Sequence, residues 1–222
     1  MHFALTAAIS ALLVASASVA VPTKRDQVKT YSTKYEAPLV LRSTQSDYKS
    51  HYASFNGDRD GSGHQILVTM HNGKPAPAET FKFLSVTSNV IGSSGFPSGC
   101  YGLGDSGGSE CYGILQSTKN TNYCIAANVL KQSNARFIAV PCSYADDDSQ
   151  LAQTWRLTST PAGWSNSQPV NFTTVVAFYG HNFYNSPNES YTVKPGQTPN
   201  VKVELDYTTT ASDYSLLLSD KL

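Results

Sequence analysis

The sequence predicts an all-β fold, a two-sheet sandwich or a closed barrel, on three observations. Helical periodicity is almost absent along the chain. Short runs instead alternate polar with apolar residues, or are rich in β-branched and aromatic side chains. Turn residues separate these runs at regular spacing: Asn56-Gly57, Asp60-Gly61, Asn72-Gly73, Pro195-Gly196 and a Gly/Ser tract over 92–109. Many short strands so spaced fit sandwiches and barrels.

In chain order, residues 4–20 come first, an uncharged apolar run ending in Ser18-Val19-Ala20. Small residues at the last and third-last positions are what signal peptidase reads, so 1–20 is predicted to be a signal peptide. The run is too short and too rich in small residues for a membrane-spanning helix. Lys24-Arg25 follows. This pair resembles the dibasic processing sites common in secreted fungal proteins, making 21–25 a short propeptide and 26–222 a single β-rich domain.

The first strands fall at 37–42 (Ala-Pro-Leu-Val-Leu-Arg), 65–70 (Gln-Ile-Leu-Val-Thr-Met) and 79–85 (Glu-Thr-Phe-Lys-Phe-Leu-Ser), the last strictly alternating. Strands at 112–116, 123–127 and 136–141 (Arg-Phe-Ile-Ala-Val-Pro) follow, then 153–158 (Gln-Thr-Trp-Arg-Leu-Thr) and 173–178. The last are 190–194, 200–206 (Asn-Val-Lys-Val-Glu-Leu-Asp) and 213–218. An internal echo runs through them. Segments 79–85, 153–159 and 213–219 each place an aromatic before alternating apolar positions, and each follows a strand-like run.

Cys100, Cys111, Cys124 and Cys142 are clustered and even in number, which in an exported chain reads as two disulfides. Three connectivities are possible. Cys100–Cys111 with Cys124–Cys142 is preferred, because each pair then encloses a short Gly- or Asn-containing loop. Asn171-Phe-Thr and Asn188-Glu-Ser are glycosylation sequons on the same route.

Charge narrows the partners. The chain has 16 basic and 16 acidic residues. Removing 1–25 takes away Lys24 and Arg25 and no acid, leaving 16 − 2 = 14 against 16, a net of −2. That gives no electrostatic footprint for nucleic acid or an anionic membrane, and no other run is apolar enough for insertion. Ser, Thr, Asn, Gly and 13 tyrosines supply neutral hydrogen-bonding groups and aromatic faces instead.

The stretch 112–158 carries a resemblance. Tyr112-Gly113, Tyr123-Cys124-Ile125, Phe137-Ile138-Ala139-Val140-Pro141-Cys142 and Gln153-Thr154-Trp155 place a cysteine pair around two strands, followed by Gln-x-Trp. This is similar to one repeat of the ricin-type β-trefoil lectins. The resemblance implies a β-trefoil, with the two-sheet sandwich as the alternative. It also implies that Gln153 and Trp155 are structural, with Trp155 in the core, and that the cysteines staple a hairpin. The family's sugar sites usually carry an aspartate two residues after the first cysteine; here that position is Ala126.

Other motifs suggest chemistry and fall short of it. Gly104-Asp105-Ser106-Gly107-Gly108 resembles the nucleophile loop of chymotrypsin-like proteases, but the upstream His71 lacks that family's sequence context. Asp58-Arg59-Asp60-Gly61-Ser62-Gly63 lacks the ligand spacing of a calcium loop and reads as a surface turn. The mature histidines show no metal spacing, and no residue set calls for a cofactor.

Sugar rings stack on aromatic faces while amides and carboxylates take their hydroxyls. The candidate ligand residues are therefore Tyr179, His181, Asn182 and Tyr184 of the aromatic run 178–184, Trp164 in a polar loop, and Asp146 and Asp148. The sequence thus predicts an extracellular or cell-wall-associated carbohydrate-binding protein without catalysis. A secreted interaction protein, such as a protease inhibitor or effector gripping its partner through 92–109, is the alternative. An extracellular hydrolase is the third reading.

Overall fold

The computed structural model describes residues 27–43, 45, 49–88, 99–165, 168–180, 190–196 and 201–222. The predicted signal peptide and propeptide therefore lie outside the described residues. The fold is all-β, as the alternation predicts.

The strands fall into three successive groups. The first holds β1 (Lys29–Ser43), β2 (His51–Arg59), β3 (Gln65–Val68), a small ladder of β4 (Met70–His71) with β5 (Lys74–Pro75), and β6 (Thr80–Thr87). The second holds β7 (Cys100–Gly102), β8 (Ser109–Ser117), β9 (Tyr123–Ala127), β10 (Ala135–Pro141) and β11 (Trp155–Ser165). The third holds β12 (Gln168–Phe178), β13 (Ser190–Pro195), β14 (Val203–Thr208) and β15 (Tyr214–Leu218).

The pairings close on themselves. The circuit β1, β6, β8, β11, β12, β15 and back to β1 is antiparallel throughout. A longer, nine-stranded circuit passes through β2, β3, β10 and β9 in place of β6. Two separate facing sheets, the sandwich alternative, are therefore not what forms. The long β1 explains why: residues 29–38 pair with β6 while 39–43 pair with β15, so no edge is left between two sheets.

Three hairpins, β2–β3, β9–β10 and β13–β14, lie between the first and last barrel strands of the three groups. They are tied together by β10, which pairs with both β3 and β14, and by a bridge between Val68 and Lys202.

The barrel interior repeats at each junction between groups. Phe81 stands opposite Ser117, Trp155 opposite Phe178 and Leu216 opposite Leu41. Two residues along each strand, Phe83 faces Leu115, Leu157 faces Val176 and Leu218 faces Leu39. All of these side chains are buried, because strand side chains of one parity share one face. The echo read from the sequence is present, but its third copy is one residue out of step: Leu216, not Ser215, takes the station of Phe81 and Trp155.

Both predicted disulfides form, and both lie in the second group. Cys100–Cys111 joins directly paired residues of β7 and β8, and Cys124–Cys142 ties β9 to the residue just after β10.

Candidate functional site

A groove of about 460 Å³ opens where the first group meets the second. One wall is the tip of the β2–β3 hairpin. There the Asp60 Oδ1 accepts the amides of Ser62 and His64, each at 2.9 Å, and the Gly63 amide donates to the Asp60 carbonyl at 3.0 Å. Gly63 has a positive φ of 85°, which this tight turn needs. Asp60 thus closes the turn with its own side chain. Burial pushes the Asp60 carboxyl upward, but the amides of His64 and Ser62 and the His64 ring outweigh that and hold it below the usual carboxylate range.

The turn directs Arg59 at the groove. Its Cα is fixed opposite Gln65, and its Nη1 donates to the Gly63 carbonyl at 2.5 Å. The opposite wall is the turn between β8 and β9. It is closed by the Tyr123 amide donating to the Asn120 carbonyl at 2.9 Å and the Asn120 amide donating to Ser117 Oγ at 3.3 Å. This wall contributes Lys119, Asn120 and Tyr123.

Glu79 joins the walls. Its Oε2 accepts the Phe55 amide of β2 at 2.8 Å, and its Oε1 accepts the Ser117 hydroxyl of β8 at 3.1 Å. Tyr123 is 39 % exposed, one of few large hydrophobic side chains so open among the described residues. The groove therefore combines the open Tyr123 ring with amide, guanidinium, ammonium and carboxylate groups carried by strands and the turns that join them. That is the material of a small polar-ligand site.

Of the ligand residues predicted from sequence, Tyr179, Asp146 and Asp148 do not line this groove. Tyr179 is half-buried beside β8 and β11: Tyr112 meets it edge-on at 5.0 Å, and the Arg156 guanidinium lies 5.8 Å from its ring centre. Burial raises its phenol well above the ordinary tyrosine range, against the opposing effects of the Tyr112 hydrogen bond and Arg156. Tyr101 and Tyr112 both donate to the Glu110 carboxylate, so Tyr179 belongs to a packed tyrosine cluster.

Asp146 accepts the Ser88 hydroxyl at 2.6 Å, and Asp148 is exposed in a short 3-10 turn, Asp148–Gln153, capped by Asp147. Trp164 lies within β11, its backbone opposite Pro169 of β12, and so stands in a strand rather than in the expected polar loop. His181, Asn182, Tyr184 and Asn188 lie outside the described residues. Asn171 falls in β12, and its side chain is likewise outside them.

Trp155 is fully buried and donates its indole N–H to the Ile125 carbonyl at 3.1 Å, and Gln153 Oε1 accepts the Ser143 amide at 3.2 Å. Ala126, where the lectin family places an aspartate, is buried.

The serine of the protease-like loop and the upstream histidine each have a different partner. Ser106 Oγ donates to the Leu103 carbonyl at 2.8 Å, while His71 pairs with Asp58 at 3.0 Å. Among the described residues no group of three or more His, Cys, Asp or Glu side chains could hold a metal ion. No helix among them is long and apolar enough to cross a membrane.

Sequence reasoning missed the groove because Arg59, Glu79 and Tyr123 stand in three separate segments, and no one of these segments points to a site shared with the others. The one available signal was Tyr123, an aromatic at a strand start directly after the polar turn Asn120-Thr121-Asn122. Comparison with protein-family models finds no match, and comparison with curated proteins finds none either.

Proposed function

We propose that this chain is a secreted, non-catalytic carbohydrate-binding protein of the cell exterior or wall, with the groove at Tyr123 as its ligand site. The observation that carries the reading is the groove itself: an open tyrosine ring flanked by hydrogen-bonding groups fixed on two hairpins. A sugar ring presents C–H bonds on one face and hydroxyls around its rim, and such a site answers both. The groove lining brings one carboxylate, Glu79, and both its oxygens are already hydrogen-bonded. Glycoside hydrolysis ordinarily uses two, which favours binding over hydrolysis.

The proposed architecture is the ricin-type β-trefoil. It is supported by the circuit of barrel strands, by one hairpin per group, and by the register that recurs at each junction between groups. Export is supported by the signal-like start and by two disulfides, which persist in oxidising compartments.

The test is binding of the oxidised 26–222 chain to a panel of glycans and cell-wall polysaccharides, with Tyr123→Ala and Tyr179→Ala alongside. Saturable binding weakened about tenfold or more by Tyr123→Ala, roughly 1.4 kcal/mol, and little changed by Tyr179→Ala is the expected result. A flat panel with correctly folded protein overturns the reading.

A further inference from the structure

The charges around the groove go further than the reading on which they rest. Two full cations, Arg59 and Lys119, enter from opposite walls. Among the described residues neither has a carboxylate within ion-pair distance, and the Arg59 side chain donates only to the Gly63 carbonyl. A guanidinium carries five N–H donors in a planar fork, so most of this one is uncommitted. The Gly63 contact also pins it, which lowers the entropy lost when a ligand is gripped.

The one lining carboxylate offsets one of these two charges and leaves the lining with a net positive charge. Glu79 turns both oxygens to the Phe55 amide and the Ser117 hydroxyl, holding the walls together. His64 also lines the groove, with its ring 3.3 Å from Asp60. The groove thus presents positive charge beside an aromatic face, in a mature chain whose net charge is −2 (14 basic against 16 acidic residues). Attraction of a polyanion by overall charge is therefore not at work, and preference for one would have to arise locally.

From this we infer that the groove selects an acidic sugar: its ligand is a glycan bearing carboxylates, such as a polyuronate, with the sugar ring on Tyr123 and the carboxylate between Arg59 and Lys119. The planar fork of arginine matches a carboxylate in a charge-assisted two-point contact, and the hydroxyls of a neutral sugar accept the same fork without the ionic gain.

The experiment uses the oxidised 26–222 chain and matched polymers differing only in charge. Affinity is measured for polygalacturonate and for its fully methyl-esterified form, and for dextran sulfate and dextran, at low and physiological salt. Polygalacturonate should bind at least tenfold more tightly than the ester, and this margin should shrink with salt. The double variant Arg59→Gln/Lys119→Gln should lose the margin while keeping its unfolding midpoint.

Equal binding of acid and ester overturns the inference, as does a preference that survives in the double variant. Binding of dextran sulfate above polygalacturonate would overturn the carboxylate assignment. Neutral glycans that bind through Tyr123 without any charge preference would sink the acidic-sugar inference alone. No binding to any polymer would sink the carbohydrate reading with it.

Discussion

The carbonyl oxygen of Leu84 presses directly on the Cα of Gly113: a methyl group built there would lie 2.0 Å from that oxygen. Leu84 belongs to β6 and Gly113 to β8, and the contact lies where β8 passes from its pairing with β11 to its pairing with β6. Both obstructing groups are backbone, so neither can swing aside. Gly113→Ala should cost about 3 kcal/mol or more, or prevent folding, as measured by urea denaturation of the oxidised chain. An alanine variant of wild-type stability would mean that the two strands do not approach so closely.

Trp155 fills the barrel between Phe137, at 4.9 Å between ring centres, and Phe178, at 5.4 Å. Trp155→Ala should lose about 3–5 kcal/mol through the cavity it leaves. Trp155→Phe keeps much of the volume but removes the donor to the Ile125 carbonyl, and should lose about 1–3 kcal/mol. Denaturation midpoints rank the variants; a Trp155→Phe variant as stable as the wild type would remove any distinct role for the hydrogen bond.

The Cys124–Cys142 disulfide closes a loop with a sequence separation of 18 and ties the central hairpin at its open end. Replacing both cysteines by serine should cost about 3 kcal/mol, mainly by releasing the unfolded chain. Thermal unfolding of the double variant checks this. Loss of groove binding without loss of stability would instead point to a local role.

Asp206 on β14 accepts Lys194 Nζ at 2.6 Å and the Asn134 amide at 2.7 Å. Burial pushes its carboxyl upward, but these donors outweigh it and hold the group below the ordinary carboxylate range. A carboxyl whose folded value lies below its unfolded value of about 3.9 stabilises above that pH, and the benefit vanishes as pH falls through the folded value. Asp206→Asn should therefore flatten the stability profile below about pH 4 and change its shape little near neutrality. A parallel profile would show the pair to be energetically idle.

Alternation made most of the barrel legible, because Phe81, Phe83, Trp155 and Leu157 announce one buried face by their spacing alone. β2 escaped notice for the opposite reason. His51-Tyr52-Ala53-Ser54-Phe55 buries only Ala53 and Ser54 fully, so no period-two apolar signal exists. The outer parts of β11 and β12 were hidden as well: Pro161 and Gly163 read as loop, yet the hairpin continues past them to Ser165 and Gln168.

The groove was illegible because tertiary pairing alone brings Arg59, Glu79 and Tyr123 together. Each of them is an unremarkable polar or strand residue where it stands in the chain. The aromatic run that drew attention instead supplied Tyr179, whose ring packs against Tyr112.

The seam between β1 and β15, where Leu39 meets Leu218 and Leu41 meets Leu216, sets a schedule for biosynthesis. A chain synthesised from its N-terminus presents β1 long before the strand that completes it. Until residues 214–218 emerge, Leu39 and Leu41 lack these partners. The nascent protein must carry exposed strand edge and apolar surface through nearly its whole translation, a period in which holding chaperones would have a substrate. Neither disulfide shortens that wait, because both can lock the middle of the molecule while its two ends are still apart.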